Sequence, residues 1–119
     1  MAAKTRELVF FKTYFRDFYD TLTAKAQRKV LWTLRLVAEL DRIPETYLKH
    51  VEGTDGLYEI RVQNGGDIFR IFCFFDEKRV VVVGNGFQKK TQKTPTSEIE
   101  RAERIKKEYA HEKRKFDQP

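Results

Sequence analysis

The chain has 119 residues, which predicts one domain, 1–119, large enough to bury a core without disulfides or a structural metal. Its 24 Lys and Arg residues against 18 Asp and Glu give a net charge of +6, which favours an anionic partner. The charge alone does not decide between RNA, DNA, an acidic protein and a membrane, but the single cysteine excludes a disulfide framework within the chain.

The first forty residues predict a strand and two helices. Arg6 to Phe11 is short, apolar and aromatic, as a first strand would be. Apolar residues then recur at helical spacing from Phe15 to Leu22, which predicts a short amphipathic helix that Thr13 can cap. A second helix is predicted from near Thr23 to a point before Pro44, because proline disfavours a helical conformation in the preceding residue. The predicted inner face of this helix is Val30, Leu31, Leu34, Val37 and Ala38.

The middle of the chain predicts a loop followed by three strands. Glu45 to Gly56 mixes apolar and turn residues, and we expect it to form a loop around the sheet edge. Lys49 and His50 fall in this loop, where solvated surface groups are expected rather than catalytic ones. From Leu57 onwards, three strand-like segments separated by turn signals at 64–66 and 76–78 predict an antiparallel meander.

The first hairpin of this meander allows two registers. A four-residue loop, 63–66, would pair Glu59 with Arg70, whereas a two-residue Gly65-Gly66 turn would pair Arg61 with Arg70. In both registers, side-chain alternation gives one apolar face and one face that carries the carboxylate and both arginines. We expect the two helices to pack on the apolar face and to leave the charged face free for a ligand.

The third strand, Arg79 to Phe87, runs into a lysine-rich segment and a final helix. The segment contains Lys89, Lys90 and Lys93. Because these lysines emerge at a strand end near Arg70, we expect a concave cationic site. Thr94 as N-cap and Pro95 at the first helical position predict the start of the helix, and the loss of apolar periodicity over 111–119 predicts a frayed end. The predicted fold is α+β, with the order β-α-α-β-β-β-α and a small, mainly antiparallel, curved sheet.

The sequence gives no signal for export, membrane insertion or metal binding. No apolar run has the length of a signal peptide or a membrane span, so we expect a cytoplasmic protein. Cys73 is expected on the buried face of a strand, where a free thiol behaves as a small hydrophobic group. No Cys or His stands at ligand spacing from His50 or His111, and we expect neither a metal nor another cofactor.

Three motifs follow one another along the predicted meander. They are LYEIRV with Glu59 and Arg61, IFRIFCFF with Arg70, and GFQKKTQKTP from Gly86 to Pro95. In this order, and followed by an amphipathic helix, they resemble the HigB-like, phage-derived branch of the RelE/ParE toxin superfamily. The resemblance covers roughly Glu7 to Ala110 and implies a RelE-like fold.

The resemblance also implies a function. It implies the toxin of a type II toxin-antitoxin system, a metal-independent endoribonuclease (mRNA interferase) that cleaves mRNA in the ribosomal decoding site and inhibits translation. A cognate antitoxin, often a helix-turn-helix protein encoded nearby, would silence it. In the RelE-like toxins that the chain resembles, basic residues hold the scissile phosphate while the neighbouring ribose 2′-hydroxyl attacks it. Carried over by position, the catalytic residues are Arg61, Arg70, Lys89, Lys90 and Lys93.

Two further residues are candidates for orientation or for acid-base chemistry. Glu59 stands where some RelE-like members carry a lysine, and it could act as a base or orient Arg61. We favour orientation, because two neighbouring arginines make a carboxylate a weaker base. Tyr109 is the candidate for the tyrosine that those members use near the last helix, with packing in the core as the alternative.

Two other functions are compatible with the sequence. The ParE branch uses the same fold for a non-catalytic toxin that inhibits gyrase. The charge of +6 would also suit a basic RNA-binding phage accessory protein without toxicity. The clustering of Arg61, Arg70 and the lysines favours the endoribonuclease.

Overall fold

The computed structural model describes residues 5–117, which form an α+β fold around one five-stranded sheet. The elements are β1 (Glu7–Phe10), α1 (Tyr14–Tyr19), α2 (Ala24–Glu39), β2 (Leu48–His50), β3 (Leu57–Asn64), β4 (Asp67–Asp76), β5 (Val80–Lys89) and α3 (Thr96–Asp117). The strand order is β1-β5-β4-β3-β2, in which β1 pairs with β5 in parallel and the other pairs are antiparallel. The predicted fold class is therefore confirmed. No helix within residues 5–117 is long and apolar enough to cross a membrane.

The two N-terminal helices begin where the sequence predicts. The hydroxyl of Thr23 accepts a hydrogen bond from the backbone N–H of Ala26 (3.2 Å), which caps α2. The helix ends at Glu39, ahead of Pro44. Thr13 precedes α1, but its hydroxyl donates to the carboxylate of Asp17 instead of accepting from a backbone N–H.

The main core lies between these helices and the apolar sheet face. Its buried members include Phe15, Ala26, Val30, Leu34 and Val37 from the helices and Ile60, Val62, Phe69, Ile71 and Cys73 from β3 and β4. This is the face that side-chain alternation predicts. The inner position predicted for Leu31 is wrong, since the side chain of Leu31 is 49% exposed. Consecutive helix residues are turned by roughly 100° around the axis, so Leu31 points away from the face that Val30 buries.

The opposite sheet face is only partly open. A second buried cluster there joins α3 to the sheet through Val51, Leu57, Phe72, Phe74, Val82 and Ala102. The expectation that this whole face is free for a ligand is therefore wrong, since its apolar residues need a cover and α3 provides it. The charged residues of β3 and β4 lie on the same face beyond this apolar cluster.

The structure differs from the prediction at β2 and at the end of α3. The predicted loop from Glu45 to Gly56 contains β2, which pairs with Tyr58–Ile60 of β3 and adds a strand to the predicted order. The last helix extends to Asp117, past the predicted frayed end at 111, and Lys12 forms ion pairs with Glu108 and Glu112 on it. Residues 118 and 119 lie outside the described part of the chain.

The pairing of β4 with β5 contains a β-bulge. Ile71 is paired with Gly86 and Cys73 with Val83, so two residues of β5, Gly84 and Asn85, stand opposite the single residue between them on β4. Asn85 is buried, and neither polar atom of its amide has a hydrogen-bond partner among the described residues.

Candidate functional site

The hairpin of β3 and β4 places two arginines side by side. Its turn is Gly65-Gly66, with Gly65 at φ +62°, a backbone conformation that glycine adopts without strain. Of the two predicted registers, the structure has the one in which Arg61 is directly opposite Arg70. Like charges in directly opposite positions destabilise a sheet, so this pair needs a counterion.

Glu59 supplies that counterion within the protein. Its Oε1 lies 3.7 Å from the Nε of Arg61 and 3.7 Å from the Nε of Arg70. Glu59 and Arg70 are buried, at 8% and 6% exposure, and Arg61 is half-buried. A separation of 3.7 Å allows Coulomb attraction but exceeds a hydrogen bond, and neither Nε has a hydrogen-bond partner in the described structure. Glu59 therefore offsets charge without satisfying these donors.

Two lysines join this group from the neighbouring strands. Lys89, at the end of β5, is paired with Ile68. Burial and the charge of Arg70 lower the pKa of Lys89, whereas Glu59 raises it. Lys49 of β2 is paired with Glu59, and its charge also lowers the pKa of Lys89. We call the five ionised residues Lys49, Glu59, Arg61, Arg70 and Lys89 the cationic cluster. Four cations and one carboxylate leave it three net positive charges.

The electrostatics of Arg70 show how unbalanced this cluster is. Burial lowers the pKa of Arg70, the charge of Arg61 lowers it further, and Glu59 opposes both effects. The guanidinium remains charged, because arginine is protonated in proteins at all ordinary pH values. An anion placed next to Arg70 would therefore relieve repulsion that the protein itself does not fully neutralise.

The segment between β5 and α3 returns to the cluster through Thr94. Thr94 is predicted as the N-cap of the last helix, but the carbonyl of Pro95 accepts the first helical hydrogen bond there, from the N–H of Ile99 (3.3 Å). The hydroxyl of Thr94 instead donates to Oε2 of Glu59 (3.4 Å). Lys90 and Lys93 lie in this segment with exposed side chains.

Tyr109 lies away from the cluster. Its hydroxyl donates to the carboxylate of Asp76, and its ring packs edge-on against Phe11 (5.3 Å) and Phe74 (5.4 Å). Burial, followed by the contact with Asp76, raises its pKa to about 12. Asp76 is six residues beyond Arg70 on β4, about 20 Å along an extended strand. The structure thus does not bring Tyr109 to the cluster, in agreement with the alternative of a packing role.

Two residues of the site were not predicted from the sequence. Lys49 was assigned to a solvated loop, because a three-residue strand gives too little alternation to be recognised. Thr94 resembles an N-cap in sequence, and only the path of the chain over β3 shows its contact with Glu59. The structure brings Glu59, Arg61, Arg70 and Lys89 together, while Lys90 and Lys93 lie with exposed side chains in the segment between β5 and α3.

A comparison with protein families matches residues 17–107 to the family described as Phage derived protein Gp49-like (DUF891). The chain belongs to this Gp49-like family. The Gp49-like family is part of the superfamily of RelE- and HigB-type toxins, which act with antitoxin partners. A search of curated proteins finds no match to the chain. The matched span contains every residue of the cationic cluster.

The cluster of this Gp49-like protein has the chemistry of a phosphate site. Two guanidinium groups present planar donor sets that match phosphate oxygens, and the lysines add point charges from both sides. Because Arg70 is buried, its interaction with an anion is screened less than it would be at the surface. Within residues 5–117, no group of three or more His, Cys, Asp or Glu side chains is arranged to hold a metal ion.

Proposed function

We propose that this protein is the toxin of a type II toxin-antitoxin pair of the HigB-like branch and that it is an endoribonuclease that cuts mRNA on the ribosome. The proposal includes a cytoplasmic location, the ribosome and mRNA as partners, and an antitoxin of the helix-turn-helix type. The membership of a family of RelE- and HigB-type toxins supports the toxin assignment. The cationic cluster supports the nuclease.

One observation carries the proposal more than any other. Arg70 is buried opposite Arg61, and the Nε atoms of both lack a hydrogen-bond partner within the described residues. A structural ion pair would be expected to saturate these donors, because unsatisfied buried polar groups cost about 1–3 kcal/mol each. Guanidinium groups that a carboxylate does not fully neutralise are typical of sites that stabilise negative charge in a transition state.

The proposed chemistry uses side chains of the chain, the substrate and water. The ribose 2′-hydroxyl gives its proton to water and attacks the neighbouring phosphorus, so that a bond from 2′-oxygen to phosphorus forms while the bond to the 5′-oxygen breaks. Arg61 and Arg70 hold the phosphate oxygens, on which negative charge accumulates. Glu59 keeps both guanidinium groups in position through its Oε1. Lys89 suits protonation of the departing 5′-oxygen, because an ammonium with a lowered pKa gives up its proton more readily.

Lys49, Lys90 and Lys93 have a supporting role in this proposal. Lys49 is paired with Glu59 on β2, and Lys90 and Lys93 lie in the segment after β5 that Thr94 links to Glu59. Lysines of this kind attract the nucleic acid backbone without reading its sequence, and their effect weakens as salt concentration rises. We expect them to contribute to substrate capture more than to the chemical step.

The experiment is induced expression of the chain with and without the open reading frame next to its gene, followed by mapping of transcript 5′ ends. We expect growth arrest and codon-phased cuts without the neighbouring frame and neither with it. Arg70→Ala and Arg70→Lys are each expected to reduce cleavage roughly 100- to 1,000-fold, because one loses the charge and the other loses the planar fork. Arg28→Ala, which removes an exposed arginine of α2, is the matched control and should cut like the parent chain.

Other outcomes would contradict the proposal in different ways. Full toxicity and unchanged cuts in both Arg70 variants would remove the cluster from the mechanism. Growth arrest with DNA damage and no codon-phased cuts would indicate a gyrase inhibitor, and harmless overexpression would indicate a non-toxic RNA-binding protein. Circular dichroism and thermal unfolding of each purified variant separate a loss of activity from a loss of fold.

A further inference from the structure

A cleft of about 410 Å³ opens beside the cationic cluster, at the edge of β3. Strand β2 pairs with β3 only as far as Ile60, so within residues 5–117 no strand pairs with β3 beyond Arg61 on that side. Arg61 and Arg70 of the sheet, Lys29 of α2 and Tyr47 all line the cleft. Among the described residues that line the cleft, three are cationic and none is acidic.

The position of Tyr47 is fixed by two contacts. Its backbone carbonyl accepts a hydrogen bond from the N–H of Arg61 (2.8 Å), which ties it to the phosphate-binding side chains. Its ring meets the ring of Trp32 edge to face, with 5.8 Å between the centroids and 81° between the planes. Trp32 is 43% exposed, and the ammonium of Lys29 lies over it at 4.2 Å. Tyr47 is therefore an aromatic surface held beside a cationic site.

We propose that this cleft binds one nucleobase of single-stranded RNA, stacked on Tyr47, in the nucleotide adjoining the phosphate that Arg61 and Arg70 hold. The inference rests on the proposed function, because it places the base next to the scissile phosphate. Aromatic rings flanked by basic side chains are the usual composition of sites for single-stranded nucleic acid.

The remaining features of the cleft fit a base. Its volume lies within the roughly 300–1,000 Å³ typical of pockets for small ligands. The amide of Gln63 and the hydroxyl of Thr46 line it, and both can donate and accept hydrogen bonds at the edge of a base. The absence of acidic groups among the described lining residues favours a ligand that carries negative charge, as a nucleotide does.

The test measures binding and requires no cleavage. The probes are a 2′-O-methyl RNA trinucleotide, which lacks the attacking hydroxyl, and the same trinucleotide with an abasic central residue. Trp32 is the only tryptophan of the chain, so its indole N–H gives a single NMR signal, and its ring centroid lies 5.8 Å from that of Tyr47. We expect the complete trinucleotide to shift this signal and to bind roughly fivefold or more tightly than the abasic probe, since stacking contributes about that much per base.

Variants separate stacking from folding. Tyr47→Ala should bind both probes with equal affinity, whereas Tyr47→Phe should retain the preference for the complete one, because it keeps the aromatic face. Leu31→Ala, at an exposed position next to Trp32 in sequence, is the control and should behave as the parent chain does. Equal affinities of the two probes for the parent chain, an unchanged preference in Tyr47→Ala, or no shift of the indole signal at millimolar probe would each overturn the inference.

Failure of the base site and failure of the proposed function give different results. A chain that prefers the complete trinucleotide but leaves transcripts intact in cells would retain the base site and disprove the nuclease. A chain that makes codon-phased cuts but does not distinguish the probes would retain the nuclease and disprove the base site.

Discussion

Glu59→Gln is the substitution that most directly tests the electrostatics of the cationic cluster. It keeps the size and shape of the side chain and removes the one carboxylate among four cations. In the parent chain, Oε1 of Glu59 lies 3.7 Å from the Nε of both Arg61 and Arg70. The neutral amide leaves these arginines opposite each other without a shared counterion. We expect the variant to be less stable and to bind phosphate groups more tightly.

The size of the effect follows from the distances and the burial. Two unit charges 4 Å apart attract by about 1 kcal/mol in water and about 4 kcal/mol at the effective dielectric of a protein surface. Glu59 and Arg70 are buried, but the side chain of Arg61 is 30% exposed, and solvent screens part of its attraction. A net loss of about 2 kcal/mol in the free energy of unfolding is a reasonable expectation. For a chain of this length it lowers Tm by roughly 6–10 °C.

The assay is thermal unfolding of the parent chain and the variant in low salt, with and without inorganic phosphate. Phosphate stabilises the folded state more when it binds more tightly, so the increase in Tm upon its addition should be larger for Glu59→Gln than for the parent chain. Glu100→Gln, an exposed position on α3, is the control for the loss of one negative charge. A Tm for Glu59→Gln equal to that of the control, or an equal response to phosphate in all three proteins, would refute the role of Glu59 as a counterion.

Three further predictions concern other parts of the molecule. Gly86→Ala should lower the free energy of unfolding, measured by urea titration, by about 1–3 kcal/mol, because the added Cβ would lie 2.6–2.8 Å from the Phe18 ring. Gly84→Ala is the control and should lower it less, because the nearest atom to its Cβ would be 3.6 Å away. Tyr109→Phe should lower the free energy of unfolding by about 1 kcal/mol without changing RNA cleavage, and a large loss of cleavage in the folded variant would contradict this. The hydrogen bond from Lys113, followed by the one from Tyr109, lowers the pKa of Asp76 below 3.8. The stabilising contribution of Asp76 is therefore present above about pH 4 and lost as the pH falls further. In urea titrations from pH 3 to 7, the free energy of unfolding of Asp76→Asn should depend less on pH than that of the parent chain.

Local chemistry in the sequence was sufficient for most elements. Thr23 caps α2 and the helix ends before Pro44 because capping and proline act within a few residues. The alternation along β3 and β4 predicted which face is apolar, and it also placed Glu59 with the two arginines. The choice between the two registers was left open, because both loop lengths are compatible with the same residues and only the observed pairing decides.

The features that were missed depend on contacts distant in sequence. Strand β2 has three residues, too few for a recognisable pattern, and exists because β3 offers it an edge. The cover over Leu57 and Phe72 is supplied by a helix that follows some thirty residues later in the chain, so the sheet residues alone suggested an open face. Thr94 was predicted as a cap because the sequence does not reveal that its hydroxyl passes close to Glu59.

The extra residue at Gly84-Asn85 determines which way the rest of β5 points. Val83 contributes to the core under α1 and α2, and in an uninterrupted strand Lys89, six positions later, would have the same orientation. The bulge shifts the parity of the strand, so Lys89 pairs with Ile68 and joins Arg70 on the opposite side. Deleting one of these two residues would leave a regular strand in which Lys89 still pairs with Ile68, whereas inserting or deleting a residue between Gly86 and Lys89 would turn the lysine to the other sheet face. Comparisons between related chains at this point therefore need to preserve length as well as residue type.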